Sequence, residues 1–336
     1  MRYKTINLHN VCDIIEGDGN PGVGLSRLPV DILENINKGA RNMARMGTGC
    51  EIRGMSPEDG EAKVVLQVVD DNVTPPVATV YHGCFCGQSV YLSDVPTTIT
   101  ITPPKNLPLM EAISRLDHHP FDPRLIRIRL PHIHTTRILS IEGDLGYPPA
   151  AATPAKTLLC YGSSITHGAS AIPPEGMYAA HCARRLGYDV INLGFGGAAQ
   201  MDAAIAEHIA ARTDWDIATL EMGINVRDWP LETFRQAVER FVGTIATAHP
   251  DKYLFCIDLF TNDADFMDNP AKGAGFREAV ADSVSAFDSG KIVHVDGRTI
   301  LTDPTGLRTD LVHPSDLGMA EMGTNLAHVI QQYVNL

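Results

Sequence analysis

The stretch "YGSSITHG" at 161–168 sets two serines and a histidine between two glycines, directly after the apolar run "TLLCY". A serine hydroxyl becomes a nucleophile only when a base takes its proton. Ser163 and Ser164 are both candidates on residue type, and either also suits the cap of a helix after a strand–helix loop. His167, three residues beyond Ser164, is the nearest candidate base. Similar residues follow other apolar runs: "NLGFGGAAQ" from 192, "EMGINVRD" from 221 and "TDLVHPSDLG" from 309. Serine, glycine, asparagine, aspartate and histidine together are the inventory of acyl transfer. That reaction needs a nucleophile, a base, a group orienting the base, and donors for the oxyanion.

These residues need a scaffold that brings strand ends to one edge. In the second half, strand-like runs at 157–162, 189–195, 216–223, 253–260 and 291–297 alternate with helical runs, the last starting near Asp316. Alternation with strands apolar on both faces predicts an α/β fold: a flavodoxin-like, doubly wound, parallel five-stranded sheet over 157–336. Ligands of such sheets bind beyond the carboxyl ends of the strands, where the polar residues fall.

The first 145 residues read as β. Runs at 62–70, 76–82, 97–102, 125–130 and 137–143 are short and separated by Gly, Pro, Asp or Asn, which predicts an all-β sandwich or jelly roll. "LIRIRL" at 125–130 alternates, and is expected to turn its apolar residues inward and its arginines outward. "PVDILENINKGARNMARMG" fits helix or strand, and 108–116 fits a short helix. The Pro-, Gly- and Ala-rich stretch 146–156 reads as a linker between two domains.

The net charge is −13, from 27 basic and 40 acidic residues, which gives no general attraction for nucleic acid or anionic membranes. The N-terminal residues carry no apolar signal core, and no run is long enough to span a membrane. Seven scattered cysteines argue for a reducing, cytoplasmic setting. His82, Cys84 and Cys86 share a strand face, but no second cysteine pair follows, so no metal is expected. No nucleotide motif stands out, and no cofactor is expected.

The four strand-end blocks, in this order, resemble those of the SGNH (GDSL-type) hydrolases, over 157–336. The closest likeness is to members with an N-terminal β-sandwich and a "YGSSIT…NLGFGG" pattern, which include acyl esterases and acyltransferases. The resemblance puts Ser164 in the nucleophile's place, His313 in that of the base, and Asp310 in that of its orienting carboxylate. It implies an oxyanion hole built from the Ser164 and Gly197 N–H groups and the Asn225 amide. Two positions depart from the family pattern: Ser163 and Val226 stand where aspartates are usual. His167 is then a substrate-contacting or solvated residue. Arg227 and Asp228 line the pocket or form a surface salt bridge, and Asn192 and Glu221 are satisfied polar groups of the core.

The expectation is a serine esterase for a small O-acyl ester, with an acetylated carbohydrate or glycoside as the named candidate. The partner is a small molecule, not nucleic acid or membrane. The alternatives are an acyltransferase using the same acyl-enzyme, and a non-catalytic glycan-binding protein with a decayed hydrolase domain.

Overall fold

The computed structural model describes residues 1–57, 60–70, 72, 74–267 and 271–334. Its N-terminal lobe contains β1 (Arg2–Tyr3), β2 (Ile6–His9), β3 (Asp13–Ile15), β4 (Gly24–Ser26), β5 (Glu51–Met55), β6 (Ala62–Val68), β7 (Val77–His82), β8 (Phe85–Tyr91), β9 (Thr97–Ile101), β10 (Leu125–Arg129) and β11 (Thr136–Glu142). Helices α1 (Lys38–Met43) and α2 (Leu107–Leu116) interrupt them. The larger antiparallel sheet runs β1-β2-β5-β10-β7-β8 and the smaller β11-β6-β9, with β3–β4 as a separate hairpin. In β6 every second residue is buried: Ala62, Val64, Leu66 and Val68 point into a core shared with Ile6, Leu8, Ile52, Ile126 and Ile128. This period-two pattern is what a sheet with one inward face requires.

The arginines of "LIRIRL" do not point to water. Ile126 and Ile128 fill the sandwich core, while Arg127 is buried on the other face, 3.6 Å from the centre of the Phe121 ring. The register sets Arg127 directly opposite Arg53 and Arg129 opposite Glu51. Glu51 resolves the repulsion. Its Oε2 accepts from Arg53 Nε and Arg127 Nε, both at 2.8 Å, and its Oε1 from Arg127 Nη2 at 2.6 Å and Arg129 Nε at 3.0 Å. Arg53 also donates both Nη groups to Asp189, at 2.6 and 2.8 Å, and Asp189 belongs to the second lobe. Strict alternation was therefore a correct strand signal and a misleading burial signal, because both faces of β10 are covered.

The second lobe is built on β12 (Thr157–Gly162), β13 (Asp189–Gly194), β14 (Ile217–Glu221), β15 (Tyr253–Ile257) and β16 (Ile292–Val295). They form one parallel sheet in the order β13-β12-β14-β15-β16, the doubly wound topology expected from the sequence. Its helices are α3 (Ser164–His167), α4 (Tyr178–Leu186), α5 (Ala203–Ala211), α6 (Leu231–Ala248), α7 (Ala271–Ser285) and α8 (Asp316–Gln331). One core layer, under α5, α6 and α7, holds Trp215, Phe234, Phe241 and Phe276. The other, under α4 and α8, holds Tyr178, Met319, Met322 and Leu326. Among the described residues, no helix is long and apolar enough to cross a membrane.

The lobes are not beads on a string. The ambiguous segment after residue 28 forms a 3-10 turn at Val30–Asn35 and then α1. Leu28 just before it, and its Leu33, Ile36, Ala40 and Ala44, are buried in the core layer of the parallel sheet, not in the sandwich. The 146–156 stretch is also docked. Gly146 bridges Met55, and the Ala152 carbonyl accepts from the Asp122 N–H at 3.1 Å.

Burial alone would push the Glu51 carboxyl up, but the guanidiniums of Arg127, Arg53 and Arg129 hold it well below the usual range. Its stabilising effect is thus present above the ordinary carboxylate pKa of about 4, and is lost only as pH falls through the depressed folded-state value. Glu51→Gln should leave buried Arg53 and Arg127, and half-buried Arg129, facing a neutral group and lower stability by about 3–5 kcal/mol at neutral pH. Urea denaturation measures the loss, and an unchanged midpoint would contradict the role given to this carboxylate.

Candidate active site

Gly162 and Gly194 are register partners at the ends of β12 and β13. A Cβ on Gly162 would strike Thr166 Oγ1 and Glu221 Oε2, and one on Gly194 would strike the backbone of His167. Two bare glycines therefore let the chain fold back over the sheet edge as the turn that carries Ser163 and Ser164. Ser163 is extended and caps α3, its hydroxyl accepting from the Ile165 N–H at 3.2 Å. Ser164 is the first residue of that helix, where its own N–H needs no intrahelical partner.

Ser164 Oγ lies 2.8 Å from His313 Nε2, across 149 positions of sequence. His313 Nδ1 lies 2.9 Å from Asp310 Oδ2. The other carboxylate oxygen, Oδ1, accepts from the Val312 and His313 N–H groups, each at 2.9 Å. Desolvation raises the Asp310 pKa, but the backbone N–H groups of His313 and Val312 and the imidazole outweigh it, and the net shift is downward. An ionised Asp310 is an acceptor only, so the imidazole proton sits on Nδ1 and Nε2 faces Ser164 as the acceptor. The loop closes tightly: Arg308 donates to the His313 carbonyl at 2.8 Å, and Leu311 is held at φ +55°.

The turn after β13 supplies the anion-binding side. Gly197 sits at φ +68° with open space where a Cβ would stand, a conformation suited to glycine. Gly196 packs against Ser164, its ideal Cβ position lying 3.6 Å from Ser164 Cβ. Asn225 Oδ1 accepts from the Ala199 N–H at 3.0 Å, which turns the Asn225 Nδ2 donor the other way. Among the described residues, the Ser164 N–H, the Gly197 N–H and Asn225 Nδ2 have no acceptor. Donors left free in this way can stabilise a developing oxyanion.

His167 is not at the mouth of a pocket. It is 1 % exposed, its Nε2 bonds the His132 carbonyl at 3.0 Å, and its Nδ1 accepts from the Gly196 N–H at 3.3 Å. Burial first, and then the Arg27 charge, hold its pKa well below the ordinary histidine value. It is a neutral prop under the glycine turn, which corrects the expectation of a substrate-contacting or solvated residue. Arg227 is committed to an ion pair with Asp263 at 2.5 Å, and Asp263 donates its N–H to the Leu311 carbonyl at 2.7 Å. Arg227 thus braces the histidine loop. Val226, where the family pattern has an aspartate, is fully buried in the core. Asn192 is a satisfied core group: its Nδ2 donates to the Thr166 carbonyl at 2.7 Å and its Oδ1 accepts from the Gly194 N–H at 2.8 Å. Among the described residues, no group of three or more His, Cys, Asp or Glu could hold a metal ion.

Three residues of the N-terminal lobe reach this site, and nothing in the sequence marked them. Met43 lies beside Gly196. Asn37 Nδ2 donates to the Ala198 carbonyl at 3.0 Å. Arg27, 1 % exposed, donates to the carbonyls of Asn192 and Gly194 at 3.0 and 2.9 Å, and to those of Met43 and Met46 at 2.6 and 3.2 Å. Burial pulls its pKa down to about 10, so it stays charged at neutral pH.

A family model described as GDSL-like lipase/acylhydrolase matches residues 155–331, which span every strand and helix just described around Ser164. The chain belongs to the GDSL-like lipase/acylhydrolase family. Its second lobe is accordingly that of a carboxylic ester hydrolase. Among solved structures, the salicylyl-acyltransferase SsfX3 from a tetracycline biosynthetic pathway is similar in fold, with a TM-score of 0.78 at 17% identity, over 98% of this chain and 94% of that one. A family 2 carbohydrate esterase with a carbohydrate-binding domain, from Corynascus thermopiles (Myceliophthora fergusii), aligns at 0.60 and 15% identity, over 89% and 97%. A family two carbohydrate esterase from Clostridium thermocellum, in complex with cellohexaose, aligns at 0.59 and 13%, over 85% and 94%. A search of curated proteins found no match.

Arg27→Lys offers a compact ammonium in place of a planar fork and should leave at least one buried carbonyl unpaired, at a cost of about 1–3 kcal/mol each. Thermal unfolding should show the loss, together with slower reaction at Ser164 because the glycine turn loses its anchor. Unaltered melting and reactivity would show that the turn is held by other means.

Proposed function

We propose that the protein is a serine esterase that cleaves a small O-acyl ester through an acyl-enzyme on Ser164. The observation that carries this reading is the continuous Ser164–His313–Asp310 hydrogen-bond relay, with three unclaimed N–H donors on the nucleophile's side. His313 Nε2 takes the Ser164 proton as Oγ attacks the ester carbonyl. Asp310 holds the imidazole's orientation and favours its cation. The oxyanion is received by the Ser164 N–H, the Gly197 N–H and Asn225 Nδ2. As the tetrahedral species collapses, His313 returns the proton to the leaving alcohol, and a water molecule then releases the acyl group by the same steps in reverse order.

The likeness to carbohydrate esterases supports an acetylated carbohydrate or glycoside as the substrate class. All seven cysteines are free thiols, in keeping with the reducing, cytoplasmic setting proposed for it. The second reading is acyl transfer to an alcohol other than water. The likeness to the salicylyl-acyltransferase favours it, since that alignment covers nearly the whole of both chains. The complete relay argues against a decayed, purely glycan-binding protein.

A fluorophosphonate probe should label Ser164, as mapped by mass spectrometry. Ser164→Ala should abolish labelling, and His313→Ala should slow it by about 10³-fold or more. An unlabelled wild type that also fails to turn over p-nitrophenyl acetate would refute the serine-esterase reading. Partition of the acyl group between water and an added sugar alcohol separates hydrolysis from transfer.

A further inference from the structure

Beneath the nucleophile turn lies a carboxylate that the steps above leave unused. Glu221 ends β14 and is 2 % exposed. Its Oε2 accepts from the Ser163 N–H at 2.5 Å and from the Thr166 hydroxyl at 3.1 Å, so it grips the turn on both sides of Ser164. Thr166 Oγ1 lies 2.6 Å from the Tyr178 hydroxyl, which carries the network to α4. The room for this carboxylate exists because residue 162 is a glycine.

The family pattern places an aspartate immediately before the nucleophile. Here Ser163 does the helix capping, and the carboxylate comes from the neighbouring strand to the same turn. A carboxylate is an expensive way to accept two hydrogen bonds in a core, because the charge must be desolvated. Burial pushes the Glu221 pKa up, against the hydrogen bonds from Ser163 and Thr166 and the field of His313. The titratable groups that face it are Tyr161 on β12, Tyr178 on α4 and His313 on the loop before α8. Burial raises the pKa of both tyrosines, so they stay neutral. Of these three groups, only His313 gains positive charge, and it does so when it takes the Ser164 proton.

We propose that Glu221 is a positioning residue of the ester chemistry, clamping the turn that aims Ser164 and favouring by its charge the imidazolium that His313 becomes. This inference rests on the serine-esterase reading. It assigns the buried charge a purpose that two hydrogen bonds alone would not require, since a glutamine of the same shape can accept both.

The test is the second-order rate of fluorophosphonate reaction at Ser164 across pH, which needs no knowledge of the natural substrate. Glu221→Gln should react roughly 10- to 100-fold more slowly at neutral pH, with p-nitrophenyl acetate turnover falling in kcat and little changed in KM. The wild-type rate should fall on the acid side with the uptake of two protons, one of them by Glu221. Glu221→Gln should show a one-proton limb. Thr166→Val, which keeps the carboxylate but removes one donor to it, should move one step of that limb to higher pH. It also serves if Glu221→Gln does not fold. A reactive wild type whose Glu221→Gln variant keeps the same rate and the same two-proton limb overturns the inference while leaving the esterase reading intact. So does a Thr166→Val limb that does not move. A wild type with no reaction at Ser164 overturns both.

Discussion

The site depends on one cation that has no counter-ion among the described residues. Arg27 is buried among four backbone carbonyls, two from its own lobe and two from β13. Removing a guanidinium from water costs several kcal/mol, and charge-assisted hydrogen bonds contribute roughly 1.5–3 kcal/mol each in return. The balance is favourable only while both sets of carbonyls are present. That requirement fixes the Asn192–Gly194 backbone, from which the glycine turn and the open Gly197 N–H follow. The Phe195 ring, 5.0 Å from the guanidinium carbon, covers one face of the same cation. Preorganised donors are effective because they need not move when charge develops. Here that rigidity is imposed from a residue more than 160 positions upstream.

The second seam between the lobes uses the opposite device. Glu51, Asp189, Arg53, Arg127 and Arg129 form a largely buried network in which Glu51 meets three guanidiniums and Asp189 takes both Nη groups of Arg53. Where Arg27 binds dipoles, this cluster binds charges, and both are satisfied only when the lobes are in register. Buried ionic groups add little net stability against well-packed apolar ones, yet they penalise misalignment severely. The two seams therefore define one relative placement of the lobes, rather than simply a strong adhesion.

Much of the parallel sheet and its site was legible because the signal was local and repeated. Each reactive residue followed an apolar strand, and four such edges in order specified both a topology and a chemistry. The exceptions share a cause. The sequence around "LIRIRL" gives the strand but not what covers its second face. His167 lies three residues from Ser164, yet its burial depends on the His132 carbonyl and the glycine turn, both distant in sequence. Arg27 was invisible because its partners are backbone carbonyls, which carry no residue signature. The segment containing Leu33 and Ile36 looked ambiguous because the surface that orders it belongs to the other lobe.

That segment has a consequence for how the protein can vary. Leu28, Leu33, Ile36, Ala40 and Ala44 complete the hydrophobic layer beside α5. A cut in the Pro- and Ala-rich stretch at 146–156 would therefore not release a self-sufficient enzyme. It would strip the sheet of part of its interior and the glycine turn of two of its anchors. The N-terminal lobe cannot be exchanged like a cassette to redirect specificity. Any replacement must bring its own buried helix and its own guanidinium, so the two lobes are bound to change together.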